Sequence, residues 1–402
     1  MRRDEVFSPH KPRHLRSQHV FAKSDDIVGI TVRCANGQNE RTFNVDRQAL
    51  VAVRNPGPVT ISAPGHPGLR PTAAGWDSQT SHPRFQPLLF TVAGLALVPA
   101  LAATALRVFP PADDMTAQLA AFIPYGLLGY LVALSCLLVA LVRARHRSVP
   151  AVITVGVAVL TVCHMAWLAP LFVNDHRAGS TAEFQLMSLN MYHSAADSRE
   201  VAERAAQADL VILVETTPSA LTALKQFGWD KRFPYSLGEP RDGFSDTAVY
   251  SRFPLSRSTL IRGTTFQQWI TTVRVPDVGR IRLIAVHPCN PFCGGDRWVT
   301  EHEVLREAVI DNLDQPLVVA GDFNAVDDHG PMQALRRAGL KSATDVAGGG
   351  WLPTYPANGP IPPLLPIDHV MINEDLTATS VTSFPVSGSD HRGLFATLAG
   401  TM

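Results

Sequence analysis

The chain has 402 residues, 46% of them hydrophobic and 17% charged, with 35 Lys and Arg against 35 Asp and Glu. That length accommodates more than one unit, and the apolar fraction excludes an ordinary soluble pair of domains. The excess is local, so the chain divides by composition.

Residues 1–86 mix basic and Pro/Gly-rich stretches (SPHKPRHLR, NPGPVTISAPGHPGLRP) with short alternating runs, GITVRC and ALVAVR, that read as weak strands. They hold 12 Lys and Arg against 7 Asp and Glu, which suits a cytoplasmic tail beside anionic lipid. The segment is expected to be weakly structured or disordered, and no function is assigned to it.

Residues 87–173 carry three apolar stretches, 87–109, 119–142 and 150–173, whose only charge is Arg107 near an end. Each matches the roughly 20 residues that cross a bilayer core as a helix, so three transmembrane helices are predicted. The first apolar run begins only at Pro87, so no cleavable signal peptide is read. Gly94, Gly126, Gly129 and Gly156 lie in these stretches, where small residues allow close helix packing. Arg143, Arg145 and Arg147 crowd the second loop, whereas the first holds Asp113 and Asp114. Basic residues stay inside. The expected location is therefore the cell membrane, multi-pass, with the N-terminus cytoplasmic and everything after Val173 outside.

Residues 174–402 read as one globular domain. Short β-rich runs recur at 184–190, 210–215, 247–251, 270–275, 281–287, 316–322, 367–372 and 393–398, with helical stretches after Ser198 and before Gln315. Strands with fewer helices over this length suggest a layered α/β domain with two sheets and helices outside. Cys289 and Cys293, in HPCNPFCGG, are its only cysteines; a small disulfide loop and two free thiols are equally compatible with that spacing. A zinc site with His287 lacks a second ligand pair.

Polar residues gather where these strands end. Asn190 ends the first run, Glu215 the second and His287 the fifth; Asp322 and Asn324 follow the sixth in VVAGDFNA. Asp368 lies just inside the seventh, while Asp390 and His391 precede the eighth. Singly, each has a plain structural explanation: a solvated strand end for Glu215, a turn for Asp368, a surface histidine for His391, a helix cap for Asp322. Brought to one rim, they make a pocket of carboxylates, carboxamides and imidazoles. Such oxygens suit hard cations such as Mg2+, like charges this close repel without one, and imidazoles suit proton transfer. The chemistry favoured is phosphoester hydrolysis.

The ordered series SLN, VILVET, AVYSRFPL, AVHP, GDFNA, LPTYP, IDHVMI and GSDHRGL, over about residues 183–398, resembles the endonuclease/exonuclease/phosphatase (DNase I-like) superfamily in a membrane-anchored bacterial form. The resemblance implies a four-layered αββα sandwich with its site on one edge. It implies Glu215 as principal ligand of Mg2+ (or Mn2+), helped by Asn190 and Asp390. Asp322 would align the attacking water and Asn324 would hold it and a phosphate oxygen. Asp368 would orient His391, and His287 would be a second imidazole; Arg252, with Asn324 and His287, falls on the substrate-binding side. Two departures stand out: Asp246 in DGFSDTA adds an acid near the site, and HPCNPFC reshapes the rim after His287.

The expected substrate is a phosphoester in nucleic acid, a lipid head group or a small molecule. Residues 174–402 hold 19 Lys and Arg against 26 Asp and Glu, a net charge of −7, with one short basic cluster at Arg336, Arg337 and Lys341. A processive nuclease is expected to show a basic stripe, so the balance tilts mildly toward the smaller substrates. The partners expected are that substrate and the bilayer; no protein partner is inferred. A non-catalytic exported binding or scaffold module on the same fold is the alternative, and it is disfavoured because every residue of the series is present.

Overall fold

The structure, a computed structural model, describes residues 18–24, 27–33, 40–46, 85–111, 113–144, 148–173, 179–243 and 245–401. Contacts divide the chain into two units, Met1–Gln79 and Thr80–Met402. In the first, β1 (Gln18–Ser24), β2 (Ile27–Arg33) and β3 (Glu40–Asp46) form an antiparallel sheet in that order. The tail expected to be weakly structured thus contains a sheet. β2, which includes most of GITVRC, is rich in β-branched residues that favour a pleated surface; ALVAVR lies outside the described residues.

The second unit opens with α1 (Phe85–Val108), α2 (Asp114–Ala120), α3 (Gly126–Arg143) and α4 (Ser148–Leu168). Three segments are long and apolar enough to cross a membrane: Phe85–Val108, Ile123–Arg143 and Ser148–Phe172. The second starts later than its apolar run. Asp113 caps α2 by accepting a bond from the Thr116 amide at 2.9 Å, and residues 119–122 finish that helix and turn. Pro124 then opens the next turn, where its missing N–H costs nothing. Gly129 lets α3 touch α1, since a Cβ there would fall 2.7 Å from the Ala96 carbonyl oxygen. Gly126 also faces neighbours, whereas Gly94 and Gly156 have nothing within 4 Å.

The remaining elements build two six-stranded sheets. One is ordered β12 (Lys341–Ser342), β13 (Asp368–Ile372), β11 (Leu317–Asp322), β10 (Gly279–Val286), β9 (Trp269–Val275), β8 (Leu255–Leu260). The other is ordered β14 (Leu376–Phe384), β15 (Gly393–Thr401), β4 (Gly179–Asn190), β5 (Leu210–Val214), β7 (Thr247–Ser251), β6 (Tyr235–Leu237). Phe184, Leu186, Ile212, Leu283, Val318, Val370 and Leu398 fill the space between them. Helices α5 (Ser198–Arg204) and α6 (Pro218–Lys225) cover one outer face; α7 (Arg297–Ile310) and α8 (Gly330–Arg337) cover the other. This is the expected DNase I-like αββα sandwich. β14, which the sequence reading lacks, alternates small polar residues with Leu, Ala, Val and Phe, so its apolar signal is thin.

The membrane-type helices are built into this sandwich. Ala117 of α2 is fully buried in the core that holds Trp298, Phe323 and Met332. His329 accepts the Val326 amide at Nδ1, which leaves Nε2–H to donate to the Ala117 carbonyl at 2.8 Å. The Tyr125 hydroxyl donates to the Leu364 carbonyl at 2.7 Å, the Gly350 amide donates to the Leu171 carbonyl at 2.8 Å, and Arg107 Nε lies 2.9 Å from Asp328 Oδ1. A cavity of about 150 Å³ remains at this joint, lined by Arg107, Trp167, Asp327, Asp328, Arg336 and Asp345 among others.

Candidate active site

Strand direction decides which ends meet. β4 and β5 run parallel, as do β10 and β11, so their carboxyl ends share one rim. β13 is antiparallel to β11 and β15 to β4, so each contributes its start: Asp368 opposes Asp322 in register, and Asp390 with His391 lie just before β15. Gly321 sits at φ 146°, and a Cβ there would fall 2.0 Å from the Val286 carbonyl oxygen. Only glycine lets β11 pass this close to β10 as it delivers Asp322 to the rim.

Asp322 is buried at the centre. Its Oδ2 accepts from Asn190 Nδ2 at 3.0 Å, which ties the two sheets together, and its Oδ1 accepts from the Asn324 amide at 2.8 Å. His287 Nε2 and His391 Nε2 each lie 3.7 Å from Oδ2. His391 donates from Nδ1 to Asp368 Oδ2 at 2.7 Å. Burial works against charging this imidazole, yet the carboxylates of Asp368, Asp322 and Asp390 outweigh it and push its pKa up to about 10. It is therefore an imidazolium at neutral pH.

His287 donates from Nδ1 to the Ser245 carbonyl at 2.8 Å and stacks on Phe266, ring centroids 5.0 Å apart. Its Nε2 faces both Asp322 and Glu215, the latter at 3.8 Å. Glu215 leaves β5 at φ 56° and accepts the His193 amide at Oε2, within a left-handed run Tyr192, His193, Ser194. Asn324 also has positive φ, at 49°, and its Nδ2 donates to the Pro288 carbonyl. Non-glycine residues in this region cost of order 1–3 kcal/mol each and collect at functional sites. Burial, and then the Glu215 and Asp322 carboxylates, raise the Asp390 carboxyl against the pull of His391. Asp390 Oδ1 and Asp368 Oδ1 are buried with no hydrogen-bond partner.

The rim thus brings together Asn190, Glu215, His287, Asp322, Asn324, Asp368, Asp390 and His391. Among the described residues no Lys or Arg forms an ion pair with its four carboxylates. Asp322, Asp368 and His391 offer atoms within 4.8 Å of one another that can hold a metal.

Arg252 is not among them. It follows Ser251, which pairs with Leu210 at the start of β5, whereas the rim lies at the Val214–Thr247 end, roughly 13 Å away along the strand. Its guanidinium instead binds the Ala206 carbonyl at 2.6 Å and Asp209 at 3.4 Å. Asp246 is not a free acid either. Burial raises its carboxyl, but a bidentate Arg241 (2.7 and 2.9 Å) and the Gln267 amide outweigh that and hold it below its usual range. Cys289 and Cys293 are joined as a disulfide beside His287, which removes the zinc reading.

Residues absent from the sequence reading complete the site. Ser389 donates to the Asn190 carbonyl and accepts the His391 amide; Thr354 Oγ1 accepts the Asp368 amide; the Tyr355 ring lies 4.9 Å from that of His391. Ser389 adjoins Asp390 in GSDHRGL, and Thr354 and Tyr355 stand in LPTYP, so position beside a motif was their signal.

This arrangement has counterparts. The model of the Endonuclease/Exonuclease/phosphatase family matches residues 187–391, and the chain belongs to that family. Among solved structures it is similar to an endonuclease/exonuclease/phosphatase from Beutenbergia cavernae, at 19% identity over 56% of this chain and 72% of that one, with TM-score 0.41. It is also similar to a functionally unknown conserved protein from Enterococcus faecalis (16%, 54% and 99%, TM-score 0.45) and to a mannosyl-6-phosphatase from Bacteroides thetaiotaomicron (13%, 54% and 99%, TM-score 0.42). No curated protein matches the sequence.

Proposed function

We propose that the protein is a membrane-anchored, outward-facing phosphoesterase that uses a divalent cation to hydrolyse phosphodiester or phosphomonoester bonds by in-line attack of water. The observation that carries this reading is the rim of four carboxylates without an Arg or Lys partner among the described residues, two of whose oxygens are buried and unbonded. A donor set of carboxylate and carboxamide oxygens fits a hard cation.

Mg2+ or Mn2+ held by Glu215, Asn190 and Asp390 would supply positive charge against the phosphate and the leaving oxygen. His391 is clamped by Asp368 at Nδ1, which leaves its Nε2 to face the phosphate. Its role is to grip a phosphate oxygen at Nε2–H or to serve as the acid/base of the reaction. Asp322, fixed by Asn190 and by the Asn324 amide, aligns water opposite the leaving group and takes its proton. His287 adds a second nitrogen facing the same carboxylate. Asn324 lends its remaining amide hydrogen to the phosphate.

Outward orientation is supported by Arg143 at the end of α3 with Arg145 and Arg147 following it, by the disulfide, and by the packing of α2 on the sandwich, which requires both on one side of the bilayer. The test uses the full chain in nanodiscs with Mg2+ or Mn2+, offered plasmid DNA, RNA, sphingomyelin, phosphoinositides and a generic phosphodiester. Turnover of one class that Asp322→Ala lacks is the expected result. A folded, metal-binding protein that hydrolyses nothing would overturn the reading.

A further inference from the structure

The 22 residues between Asp345 and Asp368 contain no charged side chain. Within them Tyr355 and Leu365 pair as an antiparallel bridge, so residues 356–364 form an arch whose base is fixed. The base touches the active site: the Tyr355 ring lies 4.9 Å from that of His391, and the Ala357 amide donates to the Asp390 carbonyl at 2.6 Å. It also touches the first turn of a membrane-type segment, because the Tyr125 hydroxyl bonds the Leu364 carbonyl. The tip is proline-rich and exposes Ile361 at 58%. Beside Tyr125, Phe122 is 49% exposed and Leu119 63%.

Tyr125, Trp351 and Trp167 gather at this end of the helices, with Tyr125 and Trp351 edge to face at 6.0 Å. Aromatic residues of this kind mark the level of lipid headgroups. The sandwich cannot swing away from that level, since the bonds from Ala117, Tyr125 and Leu171 hold it.

Resting on the membrane topology proposed above, we infer that residues 356–364 are a bilayer-contacting element, with Ile361 set among the lipid headgroups and acyl boundary beside the active site. An uncharged, proline-rich tip with an exposed Ile361, joined at its base to the membrane-type segment by the Tyr125–Leu364 bond, fits a lipid surface.

The experiment replaces Ile361 with the photo-crosslinking residue p-benzoylphenylalanine in the full chain, in nanodiscs of phosphatidylcholine and phosphatidylglycerol, with the same replacement at exposed Phe227 as reference. A phospholipid adduct at position 361 at least tenfold above that at 227 is expected. Equal yields, or adducts only with protein or water, would overturn the contact. In parallel, Ile361→Asp should lower turnover of a phosphoester lipid held in the nanodisc about tenfold relative to turnover of bis(p-nitrophenyl) phosphate. An unchanged ratio counts against the contact having a role at the site. Absence of all hydrolysis by the wild type sinks the phosphoesterase reading alone, because the crosslink still decides the contact.

Discussion

Two groups of acids, one half-buried at the joint with the helices and one at the rim, are balanced in opposite ways. At the joint with the helices, Arg336 bridges Asp327 at 2.9 Å and Asp345 at 2.7 Å, and Arg107 lies against Asp328. At the rim, Glu215, Asp322, Asp368 and Asp390 have imidazoles and amides as neighbours and, among the described residues, no guanidinium ion-paired to them. Burial of charge is tolerated only with compensation. The first group is largely offset by two guanidiniums; the second is short of positive charge, which suits a site that binds a cation and an anionic substrate. The first is not perfectly balanced, since burial pushes Asp328 up to about 6 even though Arg107 pulls it down.

The contrast can be broken by removing one member from each side. Asp322→Ala takes a charge out of a repulsive group, so phosphoester turnover should fall by about 10²–10⁴-fold while the metal-free unfolding midpoint holds or rises. A folded variant that keeps its turnover would refute the water-aligning role. Arg336→Met instead leaves two half-buried carboxylates without their partner and should cost about 1–3 kcal/mol, measured by thermal unfolding in detergent, with turnover per folded molecule retained. If both variants lost stability equally, the distinction between the two groups would be wrong.

Adding Mg2+ sharpens it. At a concentration 100-fold above its Kd the cation should stabilise the wild type by about 2.7 kcal/mol, and Glu215→Gln should respond far less. No shift in the midpoint would mean that the rim needs no cation.

The smallest effect concerns pH at the joint. Burial lowers His329 and His302 from the ordinary 6.5 to about 4. The unfolded chain takes up these protons below about pH 6.5 and the folded chain does not, so stability is full above that pH and drains away toward pH 4. Between pH 7 and 5 the loss should be about 2 kcal/mol per histidine. His329→Gln should flatten the slope of midpoint against pH; an unaltered slope would mean that this imidazole does not titrate as described.

Much of the rim was legible because an apolar run that stops or starts at a polar residue is hard to explain otherwise, and six such places fall in sequence. Arg252 shows the limit of that signal. A polar residue after a strand looks the same whichever way the strand runs, and β7 is antiparallel to β5, so its far end points away from the rim. The same rule explains why Asp368 and Asp390 belong: one opens β13 and the other precedes β15, and both strands are also reversed. The charge of Asp246 was readable, but its cancellation by Arg241 depends on a turn that composition does not encode. The joint was invisible for a different reason. His329 and Ala117 are 212 positions apart, and a buried alanine carbonyl has no sequence signature.

Ala117 also has a consequence for biogenesis. The piece of chain that plugs the outer core of the sandwich is made before the sandwich itself, and under the proposed topology it is already positioned at the bilayer when Trp298, Phe323 and Met332 emerge. Membrane insertion of the first two helices then comes before completion of the enzyme's core, and Tyr125 meets Leu364 only after another 239 residues have been added. Under that topology a domain severed at residue 174 would lack Ala117 from this core, and the helical segment would act as the template on which the sandwich finishes folding.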